Sequence, residues 1–167
     1  MKTNRVVNVV FAGLGGQGVL RASDIAADAA LRSGFDVKKS EVHGMSQRGG
    51  FVTSDVRFGS EVASPMVPPG EADYLVLIAP DQLEAARPNL RPGGVLITPE
   101  ALNGVVLSTR KALNVALAGV LSAHLEIPET NWIEAIRSNL PAKFHDANVQ
   151  AFQLGRKRPE NDHDRNL

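Results

Sequence analysis

The stretch VVFAGLGGQGVL, residues 9–20, limits what this chain can fold into more than any other. A valine-rich run over residues 5–13 breaks at Gly13 and passes through Gly15, Gly16 and Gly18 into a segment with helical spacing. The run is apolar on both alternating faces, which predicts a buried, central strand. Beyond the glycines, Val19, Leu20, Ala22, Ile25, Ala26 and Ala29 recur at helical intervals, and Gly34 is placed to end that helix. Strand, glycine turn and helix in this order predict an α/β domain.

Residues Gly13 to Gly18 satisfy the spacing G-x-G-x-x-G, with Gln17 between the last two glycines. Three uses of such a turn compete. The helix N-terminus can face an anion or a cofactor phosphate with its unpaired amides. The turn can belong to a dinucleotide site, which also wants an acid about 20 residues further on, ending the second strand. Asp36 precedes that strand and Glu41 follows Lys38 and Lys39, so neither acid is well placed. The glycines can also simply let helix and strand pack closely. A nucleoside triphosphatase is excluded, because Val19 and Leu20 stand where a P-loop needs Lys and Ser or Thr.

The rest of the chain reads as a strand–helix domain with one antiparallel interruption. Residues 35–42 form a polar strand suited to an edge. In residues 51–58, Val52, Val56 and Phe58 alternate with Thr53, Asp55 and Arg57. A turn at residues 59–61 then leads into residues 62–65, predicting a hairpin that ends at Pro65. Residues 72–80 hold a further strand, a short helix follows and stops near Pro88, and residues 91–100 are a turn feeding one more strand. The last third is helical. Leu113, Leu117, Val120 and Leu121 share a stripe, Asn131 and Glu134 have the spacing of a capping box, and Gly155 is placed to cap a final helix. The expected scaffold is a three-layer, Rossmann-like α/β domain. Its sheet is mixed and mostly parallel, with a β-hairpin insert and a helical C-terminal third. One domain over residues 1–155 and a disordered tail over 156–167 follow.

The 18 basic and 18 acidic side chains cancel, which argues against a nucleic-acid or charged-membrane partner. No run approaches 18 apolar residues and no signal-peptide cleavage pattern is present, so a cytoplasmic protein is expected. Cysteine is absent, which removes thiolate chemistry and cysteine-bound zinc or iron–sulfur clusters from this chain. His124, His145 and His163 are not spaced as metal ligands, and no metal site is expected.

A second segment, SEVHGMSQRGGFVTSDVRFG, residues 40–59, holds His43, Met45, Ser46, Gln47 and Arg48 between Gly44 and the Gly49-Gly50 pair. Glycines on both sides suit a loop with unusual torsions or a close approach to another surface. Arg48 can grip a carboxylate or phosphate, and His43 can carry a proton near neutral pH. A solvated arginine and a satisfied loop histidine are the plainer readings of each alone.

GLGGQGV, SEVHGMSQRGGFVTSDVRFG, SPMVPPGEADYLV and LRPGGVLI, in this order, resemble the gamma subunit of 2-oxoacid:ferredoxin oxidoreductases, and the matching domain of their fused forms. The resemblance covers roughly residues 6–98 and the NVQAFQLG end. It implies a subunit of an enzyme that oxidatively decarboxylates a 2-oxoacid, usually to an acyl-CoA, and passes electrons to ferredoxin or another acceptor. Thiamine diphosphate with magnesium would lie in alpha and beta subunits, and iron–sulfur clusters in beta or a ferredoxin-like delta subunit. The isolated chain would be inactive, with no acid, base or nucleophile of its own. By the same resemblance Gly13, Gly15, Gly16, Gln17 and Gly18 would contact phosphates of coenzyme A. Ser40, Glu41, His43, Gly44, Met45, Ser46, Arg48, Gly49 and Gly50 would shape the cleft and seat the neighbouring subunit. The stretch after Ile97 is shorter than the family's usual one. The alternative is a stand-alone NAD-binding dehydrogenase of Rossmann type.

Overall fold

The structure, a computed structural model, describes residues 5–43 and 49–158, apart from the side chain of His43. Five strands form one sheet in the order β2-β3-β1-β4-β5: β1 Val7–Leu14, β2 Asp36–His43, β3 Phe51–Gly59, β4 Ala72–Leu77 and β5 Leu90–Ile97. β1 is central, as its apolar sequence requires; Val9, Val10, Phe11 and Ala12 are all buried. It pairs antiparallel with β3 on one side and parallel with β4 on the other. β4 and β5 continue the parallel half, whereas β2 and β3 are antiparallel.

The sheet is therefore evenly mixed, and its hairpin is β2–β3. The return strand expected at residues 62–65 does not form. Alternation in β3 announces a strand without naming its neighbour, and both of its sides are taken by β1 and β2. Residues 62–67 instead strap the second face of the sheet. Val62 N donates to Asp36 Oδ2 at 2.7 Å, Val67 N donates to Asp55 Oδ2 at 2.9 Å, and Arg57 donates to Ser64 O at 2.8 Å.

Helix α1, Val19–Arg32, lays Ala22, Ile25, Ala26 and Ala29 on the first face, where small side chains allow a close approach. It ends as its sequence predicts. Gly34 takes φ 82°, Gly34 N donates to Leu31 O, and Phe35 N donates to Ala30 O, a Schellman closure. The same face carries α3 Leu113–Ser122, α4 Glu129–Asn139 and α5 His145–Lys157. The second face is covered more thinly, by short α2, Leu83–Ala86, and Val67 over Val10, Ala12, Leu75 and Leu77.

Two helix-end expectations fail for the same reason. α4 begins at Glu129 behind Pro128, so Asn131 lies inside it and donates to Ser33 Oγ at 2.9 Å rather than capping. Gly155 does not cap α5, which continues through Arg156 and Lys157. It is buried where α5 crosses α3, and a Cβ there would collide with the Ala116 carbonyl; one on Gly119 would collide with that of Phe152. Glycine is read locally as a stop, but here tertiary packing uses its missing side chain. α3 is likewise buried on every side from Asn114 to Ser122, where its stripe predicted one apolar face.

At the opposite end of the sheet from the glycine turn, the buried Asp73 carboxylate ties three strands together. It accepts from Arg5 Nη2 at 2.5 Å, Arg91 Nε at 2.8 Å and Asn8 N at 2.8 Å.

Candidate functional site

The glycine turn sits at the carboxyl end of β1, between β1 and α1. α1 leaves β1 toward the first face, while α2 leaves β4 toward the second. Between two parallel strands whose connections part in this way lies the crevice where open α/β sheets bind ligands.

Each glycine has its own physical reason. A Cβ on Gly13 would lie 2.9 Å from Gln17 Oε1 and from Val19 Cγ2, so this position lets α1 close on the strand. Gly16 and Gly18 take φ 87° and 81°, the left-handed region that disfavours a side chain. Gln17 folds back, its Oε1 accepting from Leu14 N at 2.8 Å. Gly15 faces the second loop: its N–H donates to Gly50 O at 2.9 Å, and a Cβ would lie 3.1 Å from Gly49 N. The two glycine-rich segments, 30 and more residues apart, thus meet backbone to backbone.

That contact is possible because β2 and β3 run to the same edge. His43 pairs with Val52 at the end of the hairpin, which opens its loop beside Leu14, itself opposite Phe51. Gly44, Met45, Ser46, Gln47 and Arg48 lie outside the described residues. Of the expected loop residues, Gly49 and Gly50 are therefore placed at the turn, and His43 is placed by its backbone alone. Ser40 stands opposite Asp55, and Glu41 pairs with Lys39 at 3.0 Å.

A cleft of about 440 Å³ opens on this junction, lined by Leu14, Gly15, Gly16, Val19, Arg21 and Val52 among others. α1 has neither a side-chain cap nor an acidic residue in its first turn, which leaves its positive end to whatever enters the cleft. Arg21 donates to the Asn139 carbonyl, joining α1 to the end of α4. A dinucleotide arrangement is not built. β3 occupies the place beside β1 where the second strand would carry a ribose-binding acid, Asp36 is committed to Val62, and Glu41 to Lys39.

No group of three metal-ligating side chains occurs among the described residues, and no helix there is long and apolar enough to cross a membrane. Two titrating groups with shifted pKa values, Asp55 and Tyr74, lie away from the cleft lining. Burial pushes the Asp55 carboxyl above its usual range, against the Val67 N–H and the Arg57 charge. Burial and the neighbouring Asp73 charge push the Tyr74 hydroxyl up. The cleft offers backbone amides, apolar walls and shape.

Comparison with known proteins turns this geometry into an identity. The family described as pyruvate ferredoxin/flavodoxin oxidoreductase matches residues 8–106, a span that includes both glycine-rich segments. The chain belongs to that family. It is a gamma-type subunit within it. The indolepyruvate oxidoreductase subunit IorB of Thermococcus kodakarensis is 34% identical, with 90% of this chain and 94% of the relative covered. That alignment runs over 190 positions, more than the 167 residues of this chain, so the relative carries segments that this chain lacks. The pyruvate/ketoisovalerate oxidoreductases common subunit gamma of the same organism is 28% identical, with 75% of this chain and 72% of the relative covered. In fold, the gamma subunit of a keto/oxoacid ferredoxin oxidoreductase from Geobacter sulfurreducens superimposes with a TM-score of 0.77. It is 23% identical, with 92% and 96% of the two chains covered.

One residue that sequence reading missed supports the glycine turn. Asn114, at the start of α3, donates from Nδ2 to Gly18 O at 3.1 Å and packs on Gly18. Its signal was a lone carboxamide in a largely apolar helix, 96 residues from its partner.

Proposed function

We propose that this chain is the cluster-free gamma-type subunit of a complex oxidising an aromatic 2-oxoacid, indolepyruvate, to its acyl-CoA. The observation that carries this reading is the Gly15–Gly50 hydrogen bond. It joins the glycine turn to the second segment of the family resemblance at the carboxyl edge of the sheet. The substrate is taken from the relative that matches along nearly its whole length, in preference to the pyruvate/ketoisovalerate subunit, which matches over less of both chains.

In this reading alpha and beta subunits bring thiamine diphosphate with magnesium, and beta or delta subunits bring the iron–sulfur clusters. Thiamine supplies the carbanion chemistry of decarboxylation, and the lack of cysteine here fits that division of labour. The residues of this chain bind and position. Gly16, Gly18 and the open end of α1 suit a phosphate of coenzyme A. Gly15 does not, since its N–H is engaged by Gly50. Gly49, Gly50 and the loop from His43 through Gly44, Met45, Ser46 and Arg48 would seat the neighbouring subunit.

The test is purification of the tagged chain with its partners, followed by assay. The expected result is a brown complex containing thiamine diphosphate, with CoA-dependent oxidation of indolepyruvate well above that of pyruvate or 2-oxoglutarate. A colourless, solitary chain stabilised by NAD would overturn the reading; at 100 times the dissociation constant, NAD would add about 2.7 kcal/mol.

A further inference from the structure

A second cleft, of about 520 Å³, lies on the other side of Asn114 from the glycine turn, between the starts of α3 and α5. Val115, Leu140 and Phe144 make it largely apolar, and Lys111 stands at its rim. Phe144 is 45% exposed, and Lys143 Nζ sits 4.9 Å from its ring centroid. Exposure of this kind beside a cavity of ligand size marks a stacking wall.

The polar groups of this cleft are unusual in one respect. It is lined by two carboxamides, Asn114 on α3 and Asn148 on α5, only 6% and 9% exposed. Both spend their amino group on a main-chain carbonyl, Asn114 on Gly18 O and Asn148 on Phe144 O. Asn114 Oδ1 is buried with no hydrogen-bond partner. Buried polar atoms in native proteins are almost always paired, so an unpaired acceptor on a lining residue calls for a donor. The lining adds the opposite requirement, since Lys111 supplies a cation, with Lys143 beside Phe144.

We propose that this cleft is a binding site for a flat, anionic heteroaromatic compound. Its ring stacks on Phe144, its N–H donor meets Asn114, and its negative group lies at Lys111. Indole carboxylates and adenine nucleotides share this chemistry. The site does not depend on the functional reading above. Because the Asn114 amide also holds the Gly18 carbonyl, occupancy is transmitted to the start of α1 and the first cleft.

Calorimetric titration of the full chain with indole-3-acetate, AMP and tryptamine tests this, with the Gly18 and Val19 amide resonances followed in parallel. At least one anion is expected to bind saturably at one site, with tryptamine about tenfold weaker or more. Saturation by indole-3-acetate alone assigns the site to aromatic carboxylates; saturation by AMP alone assigns it to nucleotides. Lys111→Glu should weaken the anion about tenfold, and Ala147→Trp, which fills the cleft, should abolish binding. The Gly18 shift should follow the same saturation curve. Absence of saturable binding by either anion, equal affinity for tryptamine, indifference to both substitutions, or a static Gly18 resonance would each overturn the proposal.

Discussion

Glycine brings backbone against backbone in two regions of this protein, with opposite tolerances. At the α3–α5 crossing, Gly119 and Gly155 each face a main-chain carbonyl of the other helix with no room for a Cβ. At the carboxyl edge, a Cβ on Gly15 would stand 3.1 Å from Gly49 N, a contact that a few tenths of an ångström would relieve. The first pair lies in the packed core, where two helices would have to separate; the second joins a turn to a loop at the rim of a cleft. Glycine in the core therefore serves stability. At the edge it serves the shape of the cleft rim.

The sharpest way to break this comparison is Gly155→Ala. Overpacking the crossing should cost about 3 kcal/mol, seen as a lower urea midpoint with an unchanged slope. An equal loss from Gly15→Ala would erase the distinction. Gly18→Ala should fall between them, at about 2 kcal/mol, because it forces a side chain into a left-handed conformation and against Asn114. Gly15→Ala itself should cost about 1 kcal/mol through the strained Gly50 hydrogen bond, yet weaken recovery of partner subunits in co-purification far more than Gly155→Ala does at matched folded fraction.

The smallest expected effect lies outside both regions. Burial raises the Asp55 pKa above 3.8, so the folded chain holds this proton more tightly than the unfolded chain does. The stability linked to Asp55 is therefore greatest in acid and falls as pH rises from 3.8 through the raised value. Asp55→Asn keeps an acceptor for Val67 N–H and removes the ionisation. Urea midpoints measured between about pH 4 and pH 7 should show that decline flattened, and an unchanged slope would exclude Asp55 as its source.

How far the site could be read from sequence divides at the same place as the glycines. The turn from Gly13 to Gly18 was legible because strand periodicity, glycine spacing and helix periodicity are local. The loop that meets it was recognisable as unusual from Gly49 and Gly50, although nothing local says that Gly50 O reaches Gly15 N. Asn114 was invisible, since a lone carboxamide in a largely apolar helix gains meaning only from its neighbour.

By itself, then, the amino-acid sequence determined the central strand, α1 with its Schellman end at Gly34, the polar edge strand β2 and the alternation of β3. Each of these is set by side-chain period and by torsions that a single residue prefers. Tertiary structure alone decided that β3 pairs with β2 and β1 rather than with residues 62–65, that Gly155 continues a helix instead of ending it, and that Asn131 lies within α4. Those outcomes depend on which surfaces meet across tens of residues, where packing in the buried core outweighs local preferences worth about 1 kcal/mol each.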